Sequence, residues 1–287
     1  MITTFSRIIQ GSMTWGIWGK NFNTDEMGNR ISKNIDIGVT TFDHADIYGD
    51  YTTEKTFGIA FKHSGISRDK IQLISKCGIQ LVNPKRNTVV KHYDYRKEYI
   101  IQQAEQSLSN LKTDYLDLFL LHRPSPLMQI EEIAEAIQIL KRSGKVKAFG
   151  VSNFTPLQID YLSSHLTIEA NQIQCSLTHS VPLEDDSLFY HKKNDIMTMA
   201  WSPLGNFYQK DEKSKLKLEI KTLSSKYNCT ESQLVLAWLL KHPAKIHPVL
   251  GTSKAERVEE AFLAQNIDMG LQDWFILYEC ARVKEVD

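Results

Sequence analysis

Short apolar runs alternate with longer amphipathic segments along almost the whole chain. Runs rich in Ile, Leu, Val and Phe, bounded by turn residues, predict buried strands, and the segments between them repeat their apolar residues at helical spacing. The predicted strands cover residues 6–9, 40–42, 71–75, 115–121, 145–151, 170–174, 195–201 and 247–250. The predicted helices cover residues 25–35, with Thr24 as N-cap, and 54–62, 96–111, 130–142, 157–164, 213–227, 231–240, 256–265 and 271–283.

This alternation amounts to about eight βα units, with no Pro- or Ser-rich linker between them. We therefore predict a single α/β domain over residues 1–287 with the architecture of a (β/α)8 TIM barrel. A doubly wound open sheet is the alternative. Such a sheet usually has a GxGxxG turn after its first strand, and the corresponding segment from Gln10 to Gly16 does not match that pattern.

Polar residues stand at or just beyond the ends of three consecutive predicted strands. Asp43 follows the second strand and precedes Tyr48, Lys76 follows the third, and His122 follows the fourth. In a parallel α/β sheet the carboxyl ends of the strands share one edge, where active sites are built. Acting together, these four side chains could donate a proton to a carbonyl oxygen.

Composition narrows the possible partners. Lys plus Arg and Asp plus Glu each number 34, so the formal net charge is zero, which does not favour nucleic acid or an anionic membrane as a partner. No apolar stretch approaches the roughly 20 residues of a membrane span, and the first residues lack the apolar core of a signal peptide. The four cysteines are scattered, so we expect reduced thiols, no metal site and a cytoplasmic location.

Seven segments, taken in order, resemble the aldo-keto reductase superfamily, and the similarity runs from near Ile8 to the terminal helix. Those segments are residues 43–49 (DHADIYG), 75–78 (SKCG), 117–122 (DLFLLH), 150–154 (GVSNF), 171–172 (NQ), 200–205 (AWSPLG) and 249–257 (VLGTSKAER). His44 together with Lys76-Cys77-Gly78 indicates a bacterial subgroup of NADP-dependent oxidoreductases.

The resemblance implies a catalytic role for each strand-end residue. Tyr48 would be the general acid that protonates the carbonyl oxygen as hydride reaches the carbon. Lys76 would lower the pKa of the Tyr48 phenol, which is ordinarily about 10. Asp43 would pair with Lys76, and His122 would orient the substrate through a hydrogen bond.

The resemblance also implies NADPH or NADP+ as the cofactor. Trp201 would stack on the nicotinamide, and the pyrophosphate and 2′-phosphate would lie after the last two strands. In (β/α)8 barrels phosphate groups often bind at this position, beside the N-terminus of a helix. The implied cofactor residues are Ser152, Asn153, Gln172, Trp201, Ser202, Leu204, Gly205, Gly251, Thr252, Ser253, Lys254 and Arg257. Gly251 stands where many members carry a lysine that contacts the 2′-phosphate, and Lys254 could replace it. Without the family, residues 251–257 would be interpreted as a surface helix capped by Ser253.

The substrate is expected to be a small carbonyl compound bound by His122 and by aromatic side chains. We predict that Trp15 lies at the rim of this site, and Trp18, His92, Tyr93 and His179 are further candidates. The polar segment 79–95 is long enough to be a mobile loop over the site or an ordinary solvated connection. We expect a monomer or a weak homo-oligomer.

Two other functions remain open at this stage. One is a lyase or aldolase barrel in which Lys76 forms a Schiff base with the substrate. The other is a redox-sensing barrel that binds the cofactor with vestigial turnover. The intact set of four polar residues favours an enzyme that reduces an aldehyde or ketone to an alcohol.

Overall fold

The computed structural model describes residues 5–83 and 86–286, and its centre is a closed barrel of eight parallel strands. The strand bounds are β1 Ile9–Gly11, β2 Thr41–Asp43, β3 Gln72–Cys77, β4 Ile79–Gln80, β5 His92–Tyr93, β6 Leu116–Leu121, β7 Val146–Ser152, β8 Ala170–Gln174, β9 Met197–Trp201 and β10 His247–Leu250. The barrel runs in chain order and closes where β10 pairs with β1, while β4 and β5 form a separate antiparallel hairpin. The predicted TIM barrel is confirmed.

Helices cover the outside of the barrel. Their bounds are α1 Thr24–Asp36, α2 Tyr48–Tyr51, α3 Thr53–His63, α4 Lys97–Leu111, α5 Ile130–Arg142, α6 Pro156–Ser163, α7 Val181–Glu184, α8 Ser187–Lys193, α9 Lys215–Lys226, α10 Glu231–Leu240, α11 Ala255–Leu263 and α12 Leu271–Arg282. Across residues 5–83 and 86–286, none of these helices combines the length and apolar character that crossing a membrane requires.

Several local predictions were wrong. The first strand lies at Ile9–Gly11 rather than residues 6–9, because residues 9–11 are the ones that pair with β2, and Ile9 and Gln10 also pair with β10. The N-cap of α1 is Asn23, not Thr24, and Asn23 forms a reciprocal capping box with Glu26. Sequence reasoning also missed the hairpin and the two short helices between β8 and β9, since such short elements leave little periodicity to detect.

Two apolar layers hold the barrel together. Side chains that point inward from the strands fill the lumen, and the outward-pointing ones pack beneath the helices. The buried lumen residues are Ile9, Ile74, Leu118, Leu120, Ala170, Met199 and Val249. Because the lumen is filled, an open site can form only beyond the strand ends.

Two helical glycines show how tightly the outer helices are placed. A Cβ atom at Gly58 of α3 would lie 2.0 Å from the carbonyl oxygen of Asn110 in α4, well inside van der Waals contact. A Cβ atom at Gly28 of α1 would lie 3.6 Å from the nearest atom, the carbonyl oxygen of Ala60. Only Gly58 is therefore required by the close approach of two helices.

We expect these two glycines to respond oppositely to alanine. Gly58→Ala should lower the free energy of unfolding by about 1–3 kcal/mol, because backbone atoms of α4 must move. Gly28→Ala should raise it by about 0.5–1 kcal/mol, because alanine is the better helix former and its Cβ meets its neighbours at ordinary van der Waals distance. Urea unfolding of both variants beside the wild type measures the difference. A stabilised Gly58→Ala variant would contradict the close packing of α3 on α4.

Candidate active site

Three neighbouring strands of the barrel deliver the polar residues that the sequence singled out. Asp43 is the last residue of β2, Lys76 lies one residue before the end of β3, and His122 directly follows β6. Pairing of β2 with β3, and of β3 with β6, puts the three strand ends side by side. The backbone N–H of His122 donates to the carbonyl of Cys77 at 2.9 Å, which fixes the histidine at this edge.

The Lys76 ammonium is the centre of the cluster and is fully buried. Its Nζ atom donates to Asp43 Oδ2 at 2.8 Å, to the His44 carbonyl at 2.7 Å and to Tyr48 Oη at 3.1 Å. Three acceptors satisfy the three N–H groups of an ammonium ion. Burial opposes the charge, but Asp43 and Tyr48 outweigh it and raise the pKa of Lys76 above its ordinary value.

Asp43 is held by a second residue from across the barrel. The amide Nε2 of Gln172, in β8, donates to Asp43 Oδ1 at 2.9 Å. Both carboxylate oxygens of Asp43 are therefore engaged, one by Lys76 and one by Gln172. Sequence reasoning assigned Gln172 to the cofactor and did not detect this contact, which joins residues 129 positions apart.

Tyr48 reaches Lys76 through an unusual stretch of backbone. Gly49 and Asp50 both have left-handed dihedral angles, with φ of 58° and 52°. This conformation comes most easily to glycine and is uncommon for other residues. It turns the chain sharply just after Tyr48, whose half-buried phenol lies over Lys76.

Lys76 lowers the pKa of Tyr48, as expected from the sequence, but the net pKa is raised because burial has the larger effect. Asp43 also disfavours the phenolate. The phenol is therefore protonated at neutral pH, which is the state that a proton donor needs.

Behind this cluster, burial disfavours charge on several titratable groups. Burial and the nearby Lys76 lower the pKa of His44 to about 3, while Ser12 Oγ lies 2.7 Å from its Nδ1 atom. Burial and the neighbouring Glu54 raise the pKa of Asp46 well above its ordinary value. Asp43, whose carboxylate lies 2.8 Å from the Lys76 ammonium, is the residue that balances its charge.

His122 faces the same space as Tyr48, and the centres of the two rings are 6.1 Å apart. Burial lowers the pKa of His122 well below its ordinary value, and the cations Lys76, Arg123 and Lys91 lower it further. The imidazole is therefore neutral at pH 7 and can donate one hydrogen bond.

A cleft of about 1120 Å³ opens in front of these residues, and its size suits a dinucleotide together with a small molecule. Asp43, Tyr48 and His122 line it near the barrel axis. Every residue predicted to bind the cofactor lines the same cleft, namely Ser152, Asn153, Gln172, Trp201, Ser202, Leu204, Gly205, Gly251, Thr252, Ser253, Lys254 and Arg257.

A short chain of hydrogen bonds holds the floor of the cleft. Trp201 Nε1 donates to Asn153 Oδ1 at 2.9 Å, and Asn153 Nδ2 donates to Ser152 Oγ at 2.7 Å. Ser152 Oγ in turn donates to the Gln172 carbonyl at 2.9 Å. These contacts fix the plane of the Trp201 indole, so its face is preorganised for a stacked ring.

Residues 251–257 form the far end of the cleft. Helix α11 begins at Ala255 with Lys254 as its N-cap, so Ser253 is not the cap that a surface helix would predict. Lys254 and Arg257 are exposed there, and no carboxylate of the described residues lies within ion-pair distance of either. Two cations at a helix N-terminus fit a phosphate group.

The predicted rim residue Trp15 was placed wrongly. Its side chain is 1% exposed and packs against Phe42 and Phe57 in the core, so it does not line the cleft. Trp18, three residues later, lines the cleft instead, with its ring centre 6.3 Å from that of Tyr48.

The polar segment 79–95 forms the β4–β5 hairpin at the mouth of the cleft, although residues 84 and 85 lie outside the described residues. Tyr93, from β5, lines the cleft as expected, whereas His92 and His179 do not. Sequence reasoning missed Arg123 and Lys91, which also line it. Arg123 could have been found, because it directly follows His122 at a strand end.

Comparison with known proteins gives one consistent result. The family model described as "Aldo/keto reductase family" matches residues 7–281. Oxidoreductase YdhF of Escherichia coli is 40% identical over 96% of this chain and 94% of its own length. A 6-dehydroglucose reductase of Agrobacterium fabrum is 37% identical over 96% of this chain and 95% of its own length. An aldo/keto reductase of Klebsiella pneumoniae, solved with NADP and acetate, has a TM-score of 0.79, 25% identity and coverage of 99% of this chain and 93% of that one.

The buried neutral state of His44 predicts how stability responds to acid. The unfolded chain takes up a proton near the ordinary histidine pKa of 6.5, whereas folded His44 resists protonation down to about pH 3. Folding therefore loses stability as the pH falls through this window, by up to about 1.4 kcal/mol per pH unit for this one group.

We expect His44→Asn to reduce the slope of the free energy of unfolding against pH by about the contribution of one bound proton. Urea unfolding between about pH 7.5 and pH 5 gives the slope of the free energy of unfolding against pH. His165→Asn, at an exposed histidine, is the matched control. An unchanged slope in His44→Asn would mean that His44 accepts a proton in the folded protein.

Proposed function

The chain belongs to the aldo/keto reductase family, and on that premise we propose that it reduces an aldehyde or ketone to an alcohol with NADPH as the hydride donor. One observation carries the proposal. A protonated phenol lies 3.1 Å from a buried ammonium, at the centre of a cleft large enough for a dinucleotide and a small substrate.

The bound cofactor would supply a hydride to the carbonyl carbon. Tyr48 would give its phenolic proton to the carbonyl oxygen, which accumulates negative charge during the reaction. The Tyr48 phenolate left behind would be stabilised by the Lys76 ammonium at 3.1 Å. Asp43 would keep Lys76 charged and in position, and Gln172 would hold Asp43.

His122 would orient the substrate. Because its imidazole is neutral, it would donate one hydrogen bond to the carbonyl oxygen without competing with Tyr48 as an acid. A donor aimed at the oxygen stabilises the developing charge more than it stabilises the bound ketone or aldehyde.

The shape and donor set of the cleft support a dinucleotide. Trp201, with its indole fixed by Asn153, would stack on the nicotinamide. The turn at Ser202–Gly205 would receive the pyrophosphate through backbone groups, since Gly205 N bonds Ser202 O and leaves the loop tightly curved. Lys254 and Arg257 would hold the adenosine 2′-phosphate.

A Schiff-base lyase is less well supported by the same contacts. A nucleophilic amine must be neutral and accessible, whereas Lys76 is fully buried, engaged by three acceptors and has a raised pKa. Borohydride added with substrate should leave no adduct on Lys76, and an adduct found by mass spectrometry would favour the lyase.

A panel of carbonyl compounds, followed by the loss of NADPH absorbance, tests the proposal directly. Sugar aldehydes belong in the panel because one relative is named a 6-dehydroglucose reductase. Tight NADPH binding without turnover of any carbonyl compound would favour a redox-sensing barrel instead.

Tyr48→Phe removes the proposed proton donor and should lower turnover by at least about 10²–10⁴-fold. Binding of NADPH should change little, since the phenyl ring keeps its place in the cleft. Tyr161→Phe, at an exposed tyrosine on α6, is the matched control. Near-normal turnover in Tyr48→Phe would remove Tyr48 from the mechanism.

Arg257→Ala should weaken binding of NADPH by about ten- to a hundredfold, because one charge-assisted hydrogen bond to the 2′-phosphate is lost. Binding of NADH, which lacks that phosphate, should change much less. The selective loss should shrink at high salt, because Arg257 is exposed. Fluorescence titration of wild type and variant with NADPH and with NADH measures the two changes in affinity, and Arg142→Ala is the control. Equal losses of affinity for the two cofactors would mean that Arg257 stabilises the loop and does not contact the 2′-phosphate.

A further inference from the structure

We infer that the carbonyl compound reduced in this cleft carries an oxyanion, such as a carboxylate or sulfonate, which is bound by the side chains of Arg123 and Lys91. This inference rests on the proposed function, because it concerns the substrate of the same site. It adds the chemical class of that substrate.

Arg123 is fixed at its backbone, and its guanidinium lies over the Trp201 ring without a carboxylate partner among the described residues. Its backbone N–H donates to Tyr95 Oη at 3.1 Å, and the same hydroxyl donates to the Arg123 carbonyl. Tyr95 is buried beneath the hairpin, so this pair of bonds anchors the residue directly after His122. The Arg123 side chain therefore projects from a rigid point.

The guanidinium of Arg123 lies within the cleft and lacks a counter-ion. Its central carbon is 5.6 Å from the centre of the Trp201 ring. Within residues 5–83 and 86–286, ion-pair contacts involve other basic side chains, and none joins Arg123 to a carboxylate. A planar guanidinium with unused donors beside an aromatic face is suited to bind a carboxylate with two hydrogen bonds.

Lys91 adds a second cation at the same end. It precedes β5 in the hairpin, is exposed and lines the cleft. Both Lys91 and Arg123 act electrostatically on His122, where each disfavours a positive imidazole. The space in front of His122 therefore has a positive potential to which Lys91 and Arg123 contribute.

The balance of charge in the cleft supports the same conclusion. Seven charged side chains line it, namely Lys20, Asp43, Lys91, Arg123, Lys254, Arg257 and Glu260. Asp43 is neutralised by Lys76, so five cations face a single remaining carboxylate, although the whole chain has no net charge. The cofactor phosphates would occupy Lys254 and Arg257. Of the three remaining cations, Lys20, Lys91 and Arg123, only the last two act on His122, and they are the ones assigned to the substrate.

Three para-substituted benzaldehydes test the inference, because they share one carbonyl and differ in charge. They are 4-carboxybenzaldehyde, 4-formylbenzenesulfonate and the neutral methyl 4-formylbenzoate. We expect the wild type to have a higher kcat/KM for the two anions than for the ester. Comparison of the two anions separates recognition of a carboxylate from recognition of any oxyanion.

Arg123→Gln should lower kcat/KM for the anionic aldehydes by roughly ten- to a hundredfold, mainly through KM, and should leave the ester within about threefold. Lys91→Gln should cause a smaller loss, about two- to fivefold, that disappears at high salt because the side chain is exposed. Arg142→Gln, on the outer surface of α5, controls for the change in net charge. The dissociation constant for NADPH is measured for every variant.

The outcomes separate the two proposals. Turnover of all three aldehydes at similar kcat/KM, with Arg123→Gln affecting them equally, would overturn the inference and leave the reductase intact. Weaker NADPH binding in Arg123→Gln, with no selective effect on the anions, would assign Arg123 to the cofactor and also overturn it. Failure of the wild type to reduce any aldehyde in a broad panel would contradict the proposed function itself.

Discussion

A single buried ammonium group, that of Lys76, is the constraint on which the site depends. A charge removed from water is costly unless several partners surround it. Asp43, the His44 carbonyl and Tyr48 supply those partners, and they come from the last residue of β2 and the segment that directly follows it. Neutral His44 completes the surroundings, because its imidazole adds no competing positive charge beside Lys76.

The need to surround this charge explains why residues from several strands form hydrogen bonds around Lys76 and Asp43. Gln172 crosses from β8 to hold the second oxygen of Asp43, and Ser152 bonds the Gln172 carbonyl. The chain of contacts continues through Asn153 to Trp201. Strands β2, β3, β7, β8 and β9 are thus joined at their carboxyl ends by side-chain hydrogen bonds in addition to the ladder of the barrel. Because these polar groups are already oriented, little free energy is spent on reorienting them when charge develops on a bound substrate.

Two pairs of cations line the cleft. Lys254 and Arg257 lie at the N-terminus of α11, whereas Arg123 and Lys91 act on His122. A cofactor phosphate and a substrate oxyanion would each stay close to a cation while the reacting carbonyl lies over Tyr48. Binding energy from groups far from the reaction can in this way position the reacting atoms.

The sequence by itself determined the barrel and the four polar residues at its strand ends. Alternating βα units and strand-end positions are local patterns, so Asp43, Tyr48, Lys76 and His122 could be named before any contact was known. Tertiary structure alone decided that Trp15 is buried while Trp18 lines the cleft, and that Gln172 bonds Asp43. It also decided that burial outweighs Lys76 in setting the pKa of Tyr48. The physical reason is that burial, desolvation and contacts between distant residues arise only when the barrel closes, and closure joins segments that no local pattern relates.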